Sequence, residues 1–566
     1  MTLVERTVHQ PSGVDRRPGR PLGFHAAALA VLLVALFPLM SPGSAYTSDE
    51  GAYALQVKAL ELGGWEYEYR AAPHDPNGDF FPVVLTDKGA NGDYYPYAKH
   101  PAFPLALRVA TAVFGTLLGL HLLGLLAVVA TAVAAWLLAA EVDPRLSRPA
   151  FWLAAAGPLL VNGYLLWAHA PSAAVAGLSL VAAVRVARRG LHGWAPVGLV
   201  AGLVGGVLLR SEGLLFAGAV VAALCWVLLR QHGVRAAIAA GVCLGVPPVA
   251  TTWLEGRWVA SIVNGTTQGV GVRGGSEGSY LAGRVEGGWH ELFQTAYGNG
   301  RASTLGLVAL LAVVGGGVLA LRRSRPDGWL GRLIVPCAIA VAATAARYAA
   351  APSEPVTGLF AAWPVALLGL VLVPWRSAPP AARFLGAVGG LYLLAILATQ
   401  YPEGGGLEWG GRFLSPAIAI VAVLAVFGLH RRLQAMPDGL GRPAVGVLTA
   451  LAVATAGFGL ATVAHKRLDG ADLVAAVARH PADVTITVEP SLPRLGWRHD
   501  ADITWMYADQ DDVPALLGRL HEQGVHQVAA VLPEDFPLDG LAYTRATTPD
   551  EPALASVHGK LVVFRQ

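Results

Sequence analysis

The chain has 566 residues, of which 54% are hydrophobic and only 14% are charged. This composition excludes an ordinary soluble multidomain protein and predicts a polytopic membrane protein. The formal net charge of +3 is small for this length and does not indicate a nucleic-acid partner. Cys225, Cys243 and Cys337 lie in or beside apolar runs, so we interpret them as small hydrophobic residues and predict no disulfide framework.

Apolar segments follow one another along most of the chain. About thirteen of them approach the roughly 20 residues that a helix needs to cross about 30 Å of hydrocarbon. We therefore predict an all-α polytopic bundle of about 13 transmembrane helices. Their centres fall near Val34, Val128, Leu160, Leu178, Val200, Ala222, Val246, Leu311, Val341, Leu367, Leu391, Val421 and Val453.

Arginine residues predict the orientation of this bundle. They precede the first apolar segment, at Arg6, Arg16, Arg17 and Arg20, and recur in alternate connections such as "RVARRGLHG" and "RRSRPDGWLGR". Because basic loops remain in the cytoplasm, about thirteen spans place the N-terminus inside and the C-terminus outside. The first segment is also open to interpretation as a signal peptide, whose cleavage would leave an even number of spans.

This orientation divides the chain into three regions. Residues 1–22 form a cytoplasmic tail, residues 23–465 form the transmembrane region, and residues 466–566 form a small extracytoplasmic α/β domain, in which "VTITVEP", "QVAAVLP" and "KLVVF" indicate strands and "DDVPALLGRLHEQG" indicates a helix. Two long loops are also predicted outside, 44–102 and 255–303. The second loop is rich in glycine, and this composition is compatible either with a lid over a cavity or with a flexible connector.

Two adjacent carboxylates, Asp49 and Glu50, follow the first apolar segment. A partly buried carboxylate at the edge of the membrane can act as a general base, and the pair can hold a divalent cation such as Mg²⁺ or Mn²⁺. The structural alternative is that Asp49 caps the helix predicted for "EGAYALQVKALEL". The sequence leaves these roles open.

The first long loop ends in "YYPYAKHPAFPLALRVATAVFG". Its apolar part stops at a glycine before the second span, which predicts a helix along the membrane surface with Tyr94, Tyr95 and Tyr97 at headgroup depth. Lys99 is suited to bind a lipid phosphate there, or it extends its ammonium group to the interface without a ligand.

Three short motifs occur in order along the chain. They are "SDEGAYA" after the first span, "KHPAFP" before the surface helix, and "GGRFLSP" at the start of a late span. They resemble the acidic motif, the Lys/His-Pro-Pro element and the Gly-x-Arg-aromatic-Leu-x-Pro element of the GT-C class of integral-membrane glycosyltransferases. Ala102 replaces the second proline of the second element. The aminoarabinose transferases, the protein O-mannosyltransferases and the actinobacterial arabinosyl and mannosyl transferases have a similar architecture along nearly the whole chain.

The resemblance implies that a hexosyl or pentosyl group moves from a polyprenyl-phosphate donor to an extracytoplasmic glycan, lipid or protein acceptor, with inversion, at a bacterial plasma membrane. It implies that Asp49 is the base, that Glu50 is a supporting acid which orients the substrate or a cation, and that Lys99 and His100 bind the donor phosphate.

Three further arginines fall at predicted extracytoplasmic helix ends, against the distribution of the other basic residues. They are Arg210, Arg347 and Arg412. A charge at membrane depth is costly unless it faces a partner or a wet cavity. We hypothesise that some of them converge with Lys99 on the donor phosphate. The alternative is local pairing, of Arg210 with Glu212 and of Arg412 with Glu408.

Four other residues are candidates for the cavity wall. They are Tyr97 in the first loop, His169 in a predicted outer hairpin, and Trp289 and His290 in the glycine-rich loop. Trp289 and His290 are suited to stack on a sugar or to hydrogen-bond to it. The alternative interpretation of His169 is that it is an interfacial polar residue.

Two other classes of function remain compatible with the sequence. A transporter or flippase of a lipid-linked or anionic substrate would also use membrane-embedded charges, although it would be expected to carry them near the middle of the bilayer. An interaction protein anchored in the membrane would work through its C-terminal domain and would not need the Asp-Glu pair.

Overall fold

The computed structural model describes residues 21–40, 43–82, 87–88, 93–95, 100–263, 280–322, 329–399, 409–434, 441–543, 545–549, 551–557 and 559–565. Within these ranges ten helical segments are long and apolar enough to cross a membrane. The chain is therefore a multi-pass membrane protein, as its composition predicts.

Helices are the main elements of the described chain up to residue 478. In chain order they are α1 (Leu22–Leu36), α2 (Ser48–Glu61), α3 (Ala102–Phe114), α4 (Thr116–Val142), α5 (Ser147–Ala155), α6 (Pro158–Asn162), α7 (His169–Arg189), α8 (Ala195–Leu209), α9 (Glu212–His232), α10 (Val234–Ile262), α11 (Tyr280–Phe293), α12 (Gly300–Leu311), α13 (Gly317–Arg322), α14 (Trp329–Ala350), α15 (Leu359–Ala362), α16 (Pro364–Val371), α17 (Pro380–Thr399), α18 (Ile418–Leu433) and α19 (Gly441–Ala478).

All thirteen predicted span centres lie in helices, and ten of them lie in the ten long segments. The other three, Leu160, Val200 and Leu367, lie in the shorter helices α6, α8 and α16. Proline explains two of these short helices: Pro158 and Pro364 each open a helix because proline has no N–H to continue the preceding one. The all-α bundle is confirmed, and the number of thirteen spans stays a prediction.

A helix, α3, occurs where the surface helix was predicted. Gly115 follows its last residue, Phe114, and α4 starts at the next residue. Gly115 has a φ of 77°, a conformation that favours glycine. The chain then folds back so closely that a Cβ on Gly119 would lie 2.4 Å from the Cα of Thr111. The location of α3 at the membrane surface stays a prediction.

Two tyrosines before α3 are covered by protein. The short strands β1 (Asp87–Lys88) and β2 (Tyr94–Tyr95) form an antiparallel pair, and Tyr94 and Tyr95 are each 2% exposed. Tyr94 packs against the C-terminal domain, and the Tyr95 hydroxyl donates to Glu66 at 2.7 Å. Their location at headgroup depth stays a prediction. Tyr97 lies outside the described residues.

The C-terminal region contains the predicted α/β domain. Its elements are β3 (Val484–Thr487), α20 (Leu492–Leu495), β4 (Trp505–Tyr507), α21 (Val513–Glu522), β5 (Gln527–Pro533), β6 (Arg545–Thr547) and β7 (Gly559–Arg565). The strand order is β4-β3-β5-β7-β6. Strand β3 is parallel to β4 and β5, whereas β7 is antiparallel to both of its neighbours.

One helix joins this domain to the bundle without a break. Helix α19 has 38 residues and passes through the predicted domain boundary at 465/466. The sheet of the domain packs on the first long loop, whose Tyr69 and Ala71 share a buried cluster with Ile486 and Phe564. The domain is therefore held at the end of the bundle that also carries α2 and α11, and we call this end the loop face.

Candidate active site

The candidate site begins at the first turn of α2 on the loop face. Thr47 precedes the helix in an extended conformation, so α2 starts at Ser48 and Asp49 lies inside the first turn. The alternative in which Asp49 occupies the capping position is therefore wrong, although a carboxylate in the first turn still interacts favourably with the helix dipole. The side chain of Asp49 is 30% exposed, so it remains accessible from the loop face.

Glu50 points the other way, into the protein, and is 2% exposed. Its Oε1 accepts hydrogen bonds from the N–H of Leu166 at 2.5 Å and from Nη2 of Arg467 at 2.8 Å. Its Oε2 accepts a hydrogen bond from the N–H of Tyr46. Burial and the adjacent Glu50 carboxylate raise the pKa of Tyr46, so its phenol stays neutral. Glu50 thus belongs to a buried ion pair rather than to an open site.

Both carboxylate oxygens of Glu50 accept hydrogen bonds from protein groups. Among the described residues, no group of three or more His, Cys, Asp and Glu side chains is arranged to hold a metal ion. The geometry gives Glu50 a structural role in a buried ion pair. Its supporting role in catalysis and a divalent cation at Asp49 and Glu50 stay predictions.

Arg412 is the basic group beside Asp49. Its Nη1 lies 3.8 Å from Oδ2 of Asp49, and its guanidinium lies over the Phe413 ring at 4.6 Å from the centroid. Arg412 opens a short 3₁₀ helix, Arg412–Ala417, after Gly410 and Gly411, which have φ values of 70° and 64°. The two glycines turn the chain so that Arg412 faces α2.

Arg210 lies between α8 and α9 and makes the local pair that the sequence left open. Its Nη2 lies 2.9 Å from Oε1 of Glu212, and its Nε lies 3.1 Å from Oε2 of the same residue. Such a two-point contact fixes the plane of the guanidinium. Arg210 also lies within electrostatic reach of Arg412 and His169, so the pair belongs to the same cluster.

His100 meets a carboxylate rather than an open cavity. Its Nδ1 lies 3.1 Å from Oε1 of Glu255, which comes from α10 and is 8% exposed. The backbone of His100 has a φ of 49°, which is uncommon for a residue with a side chain. Lys99, the residue before it, lies outside the described residues, as does Glu408, the proposed partner of Arg412.

His169 is a buried histidine of the candidate site. It is the first residue of α7 and is 4% exposed. Its ring contacts Trp167 and Phe413 edge-on, with centroid distances of 5.8 and 6.4 Å. Arg210, Arg412 and His100 all lie within its electrostatic reach. Its place at the wall of a substrate cavity stays a prediction.

The described part of the second long loop contributes α11. Trp289 is 50% exposed and contacts Phe293 with a ring-centroid distance of 5.5 Å, and His290 lies 4.0 Å from Glu286. Glu291, also in α11, is 2% exposed and lies within electrostatic reach of Arg412. Residues 264–279 of this loop lie outside the described ranges.

Arg347 does not join the cluster in the way predicted. It lies in the last turn of α14, is 3% exposed, and donates hydrogen bonds to the carbonyls of Thr295, Glu354 and Pro355. Its donors thus satisfy backbone groups rather than face an anion.

The sequence reasoning missed three charged residues at the loop face. They are Glu255, Glu291 and Arg467. Glu291 carried a usable signal, since it is an acid in the amphipathic segment "WHELFQTAYG". Arg467 was missed because it lies just beyond the predicted end of the last span.

The arrangement combines one accessible carboxylate with two arginines and two imidazoles at the ends of α2, α7 and α9. A carboxylate of this kind can take a proton from a hydroxyl group, and guanidinium groups in a partly buried setting can hold a phosphate. The site is therefore suited to a reaction between an alcohol and an anionic substrate at the edge of the membrane.

No family model matches the sequence, and no curated protein matches it significantly. Among solved structures, ArnT from Cupriavidus metallidurans bound to undecaprenyl phosphate is similar, with a TM-score of 0.50 and 13% sequence identity over 96% of this chain and 97% of that one. The AglB oligosaccharyltransferase from Archaeoglobus fulgidus has a TM-score of 0.40 and 12% identity over 90% and 69% of the two chains. The arabinosyltransferase EmbB from Mycobacterium smegmatis has a TM-score of 0.35 and 17% identity over 86% and 44%.

The likeness to ArnT extends over nearly the full length of both chains, and it includes the helical bundle and the C-terminal domain. The chain therefore has the fold of the GT-C class of integral-membrane glycosyltransferases.

Proposed function

We propose that this protein is a glycosyltransferase which moves a sugar from a polyprenyl-phosphate donor to a hydroxyl group of a glycan, lipid or protein acceptor outside the cytoplasm. The observation that carries the proposal is the accessible Asp49 carboxylate 3.8 Å from Arg412 at the loop face of a GT-C fold. The ArnT structure that resembles this chain contains undecaprenyl phosphate, which belongs to the proposed class of carrier.

In the proposed reaction, Asp49 accepts the proton of the acceptor hydroxyl while the oxygen attacks the anomeric carbon of the donor sugar. The bond from that carbon to the phosphate oxygen breaks, so polyprenyl phosphate leaves with the bonding electrons and the anomeric configuration inverts. Arg412 and Arg210 stabilise the phosphate that carries the new negative charge. Lys99 and His100, which adjoin α3, complete this anion site in the proposal.

The loop face lies outside the cytoplasm in this proposal, at a bacterial plasma membrane. The distribution of arginine supports that orientation. The charges also support a reaction over transport. Asp49, Arg210 and Arg412 lie at helix ends, whereas a carrier is expected to place such residues near the middle of the bilayer.

The test compares the wild type with Asp49→Asn in lipid nanodiscs, using a panel of polyprenyl-phosphate sugars and a cell-envelope extract as the acceptor. The measured quantity is free polyprenyl phosphate. The matched control is Asp502→Asn, the same change at a side chain of the C-terminal domain that is 71% exposed.

We expect release by the wild type and by the control variant, and none above background by Asp49→Asn. A folded wild type that consumes no donor would refute the proposed reaction. In that case the transporter and interaction functions return to consideration. Equal turnover by Asp49→Asn would refute only the role of Asp49 as the base.

A further inference from the structure

Arg347 clamps a loop rather than a ligand. Its Nε donates to the carbonyl of Thr295 at 2.8 Å, and its Nη2 donates to the carbonyls of Glu354 at 2.8 Å and Pro355 at 3.2 Å. Thr295 follows α11, whereas the other two belong to the loop between α14 and α15. One guanidinium therefore ties two separate backbone segments together.

The same loop is bonded to the residues before Arg412. The N–H of Gly410 donates to the carbonyl of Val356 at 2.7 Å, and the N–H of Gly411 donates to the carbonyl of Thr357 at 2.5 Å. Gly411 is the residue immediately before Arg412. The position of the Arg412 backbone thus depends on the loop that Arg347 clamps.

A third set of hydrogen bonds joins this loop to the segment that follows α11. The hydroxyl of Thr357 lies 2.7 Å from Oε1 of Gln294, to which it donates, and the N–H of Gly358 donates to the carbonyl of Gln294 at 2.8 Å. A Cβ on Gly358 would lie 2.5 Å from the Gln294 nitrogen, so the two segments touch with no spare room. We call residues 294–295, 354–358 and 410–411 the loop frame.

The surroundings of Arg347 do not suit a phosphate. The cavity beside it has a volume of about 30 Å³ and is lined mainly by apolar side chains, with Thr344 and Thr455 as its hydroxyl groups. This mainly apolar lining offers a phosphate few hydrogen-bond donors besides Arg347. Two of the donor nitrogens of Arg347 are also already bonded to carbonyls.

We infer that Arg347 is a positioning residue for Arg412: through the loop frame it sets the place of the guanidinium that holds the donor phosphate. The inference rests on the proposed function, because it assigns Arg412 to that phosphate. It replaces the prediction that Arg347 binds the phosphate itself. The Arg412 guanidinium is misplaced whenever the loop frame is disturbed, even when no charge is removed.

The experiment measures the affinity of undecaprenyl phosphate for the full-length protein in lipid nanodiscs. Arg347→Lys keeps the positive charge but removes the planar fork, which one ammonium group cannot replace at three carbonyls. Gly358→Ala keeps every charge and disturbs only the contact with Gln294. The control for Gly358→Ala is Gly300→Ala, where a Cβ would meet no atom within 4 Å. The control for Arg347→Lys is Arg301→Met, which removes an exposed charge near the loop frame.

We expect Arg347→Lys and Gly358→Ala to weaken the affinity by about tenfold or more, the effect of losing one hydrogen bond to a charged group. Both controls should bind like the wild type. In an Arg412→Ala background, neither frame variant should weaken binding further, because both act through Arg412. A purely structural role would lower the melting temperature of the frame variants without this non-additive effect on affinity.

The outcomes separate this inference from the proposed function. If the folded wild type does not bind undecaprenyl phosphate, or if Arg412→Ala binds it equally well, the assignment of the phosphate site fails. If Arg412→Ala binds weakly while Arg347→Lys and Gly358→Ala bind like the wild type, only the positioning role fails. If the loss in either frame variant adds to the loss in Arg412→Ala, the positioning role fails, and an additive loss in Arg347→Lys alone would restore Arg347 as a direct ligand.

Discussion

The buried pair of Glu50 and Arg467 makes a stability prediction that does not depend on the reaction. The two side chains are 2% and 0% exposed, and they join α2 to α19 across 417 residues of sequence. Arg467 also donates to the carbonyls of Met40 and Tyr164, at 2.9 and 2.8 Å. Arg467→Met keeps an unbranched apolar stem and removes all three contacts.

The expected cost follows from what remains behind. In Arg467→Met the carboxylate of Glu50 stays buried with only the N–H groups of Tyr46 and Leu166 as donors. Breaking a buried ion pair on one side costs about 3–5 kcal/mol, because it leaves an uncompensated charge. We expect the melting temperature of the protein in nanodiscs to fall by about 3–4 °C.

A second variant tests the cause of this loss. Glu50→Gln combined with Arg467→Met removes both charges, so the double variant should melt above Arg467→Met alone. It should still melt below the wild type, because the amide NH₂ of glutamine cannot accept one of the two N–H hydrogen bonds. Arg188→Met is the surface control, since its pair with Glu141 is half exposed and exposed pairs contribute little.

The reasoning is refuted if Arg467→Met melts within about 0.5 °C of the Arg188 control, a difference that would correspond to well under 1 kcal/mol. It is also refuted if the double variant melts no higher than Arg467→Met. The second result would mean that the lost hydrogen bonds to Met40 and Tyr164, rather than the stranded charge, cause the instability.

Three further predictions concern other parts of the structure. A Cβ on Gly369 would lie 2.4 Å from the carbonyl oxygen of Ala425, so Gly369→Ala should push α16 from α18 and lower the yield of folded protein in size-exclusion chromatography. Burial raises the pKa of Asp500, so the unfolding free energy should fall as the pH rises from its ordinary pKa to the raised one; Asp500→Asn should melt above the wild type at pH 7 and lose that advantage near pH 4. Asparagine tolerates the positive φ of His100 better than valine, so His100→Asn should retain more stability than His100→Val, although both lose the bond to Glu255.

Much of the fold follows from the sequence because apolar length is a strong local signal. All thirteen predicted centres lie in helices, and the strands at "QVAAVLP" and "KLVVF" are long enough to show their composition. Strands β4 and β6 were missed, since each has only three residues. The continuation of α19 past residue 465 was missed. Polar residues there suggested that the helix ends, whereas it continues beyond its apolar segment.

The site was harder to predict because the partners of its residues are far away in sequence. Asp49 and Glu50 are neighbours, but successive helical residues point roughly 100° apart. The sequence alone did not indicate that Glu50 would turn toward Arg467, on a helix that begins nearly four hundred residues later. The partners of Arg347 are carbonyls, which every residue carries, so no side-chain pattern identifies them.

The distribution of arginines on the loop face shows how such residues can be sorted. Arg210 and Arg412 face carboxylates and lie within electrostatic reach of each other, as expected of groups that share an anionic substrate. Arg347 and Arg467 instead give most of their hydrogen bonds to backbone carbonyls and are at most 3% exposed.

Each arginine of the second kind supports one member of the candidate catalytic pair. Arg467 holds Glu50 and thereby the first turn of α2, in which Asp49 lies. Arg347 holds the loop that bonds to Gly411 and thereby Arg412. The 3.8 Å separation between Asp49 and Arg412 is thus set from both sides by buried arginines that touch neither of them directly. An outward-facing arginine in such a sequence predicts a substrate contact only when its partners are side chains, and one bonded to carbonyls predicts a support for the site.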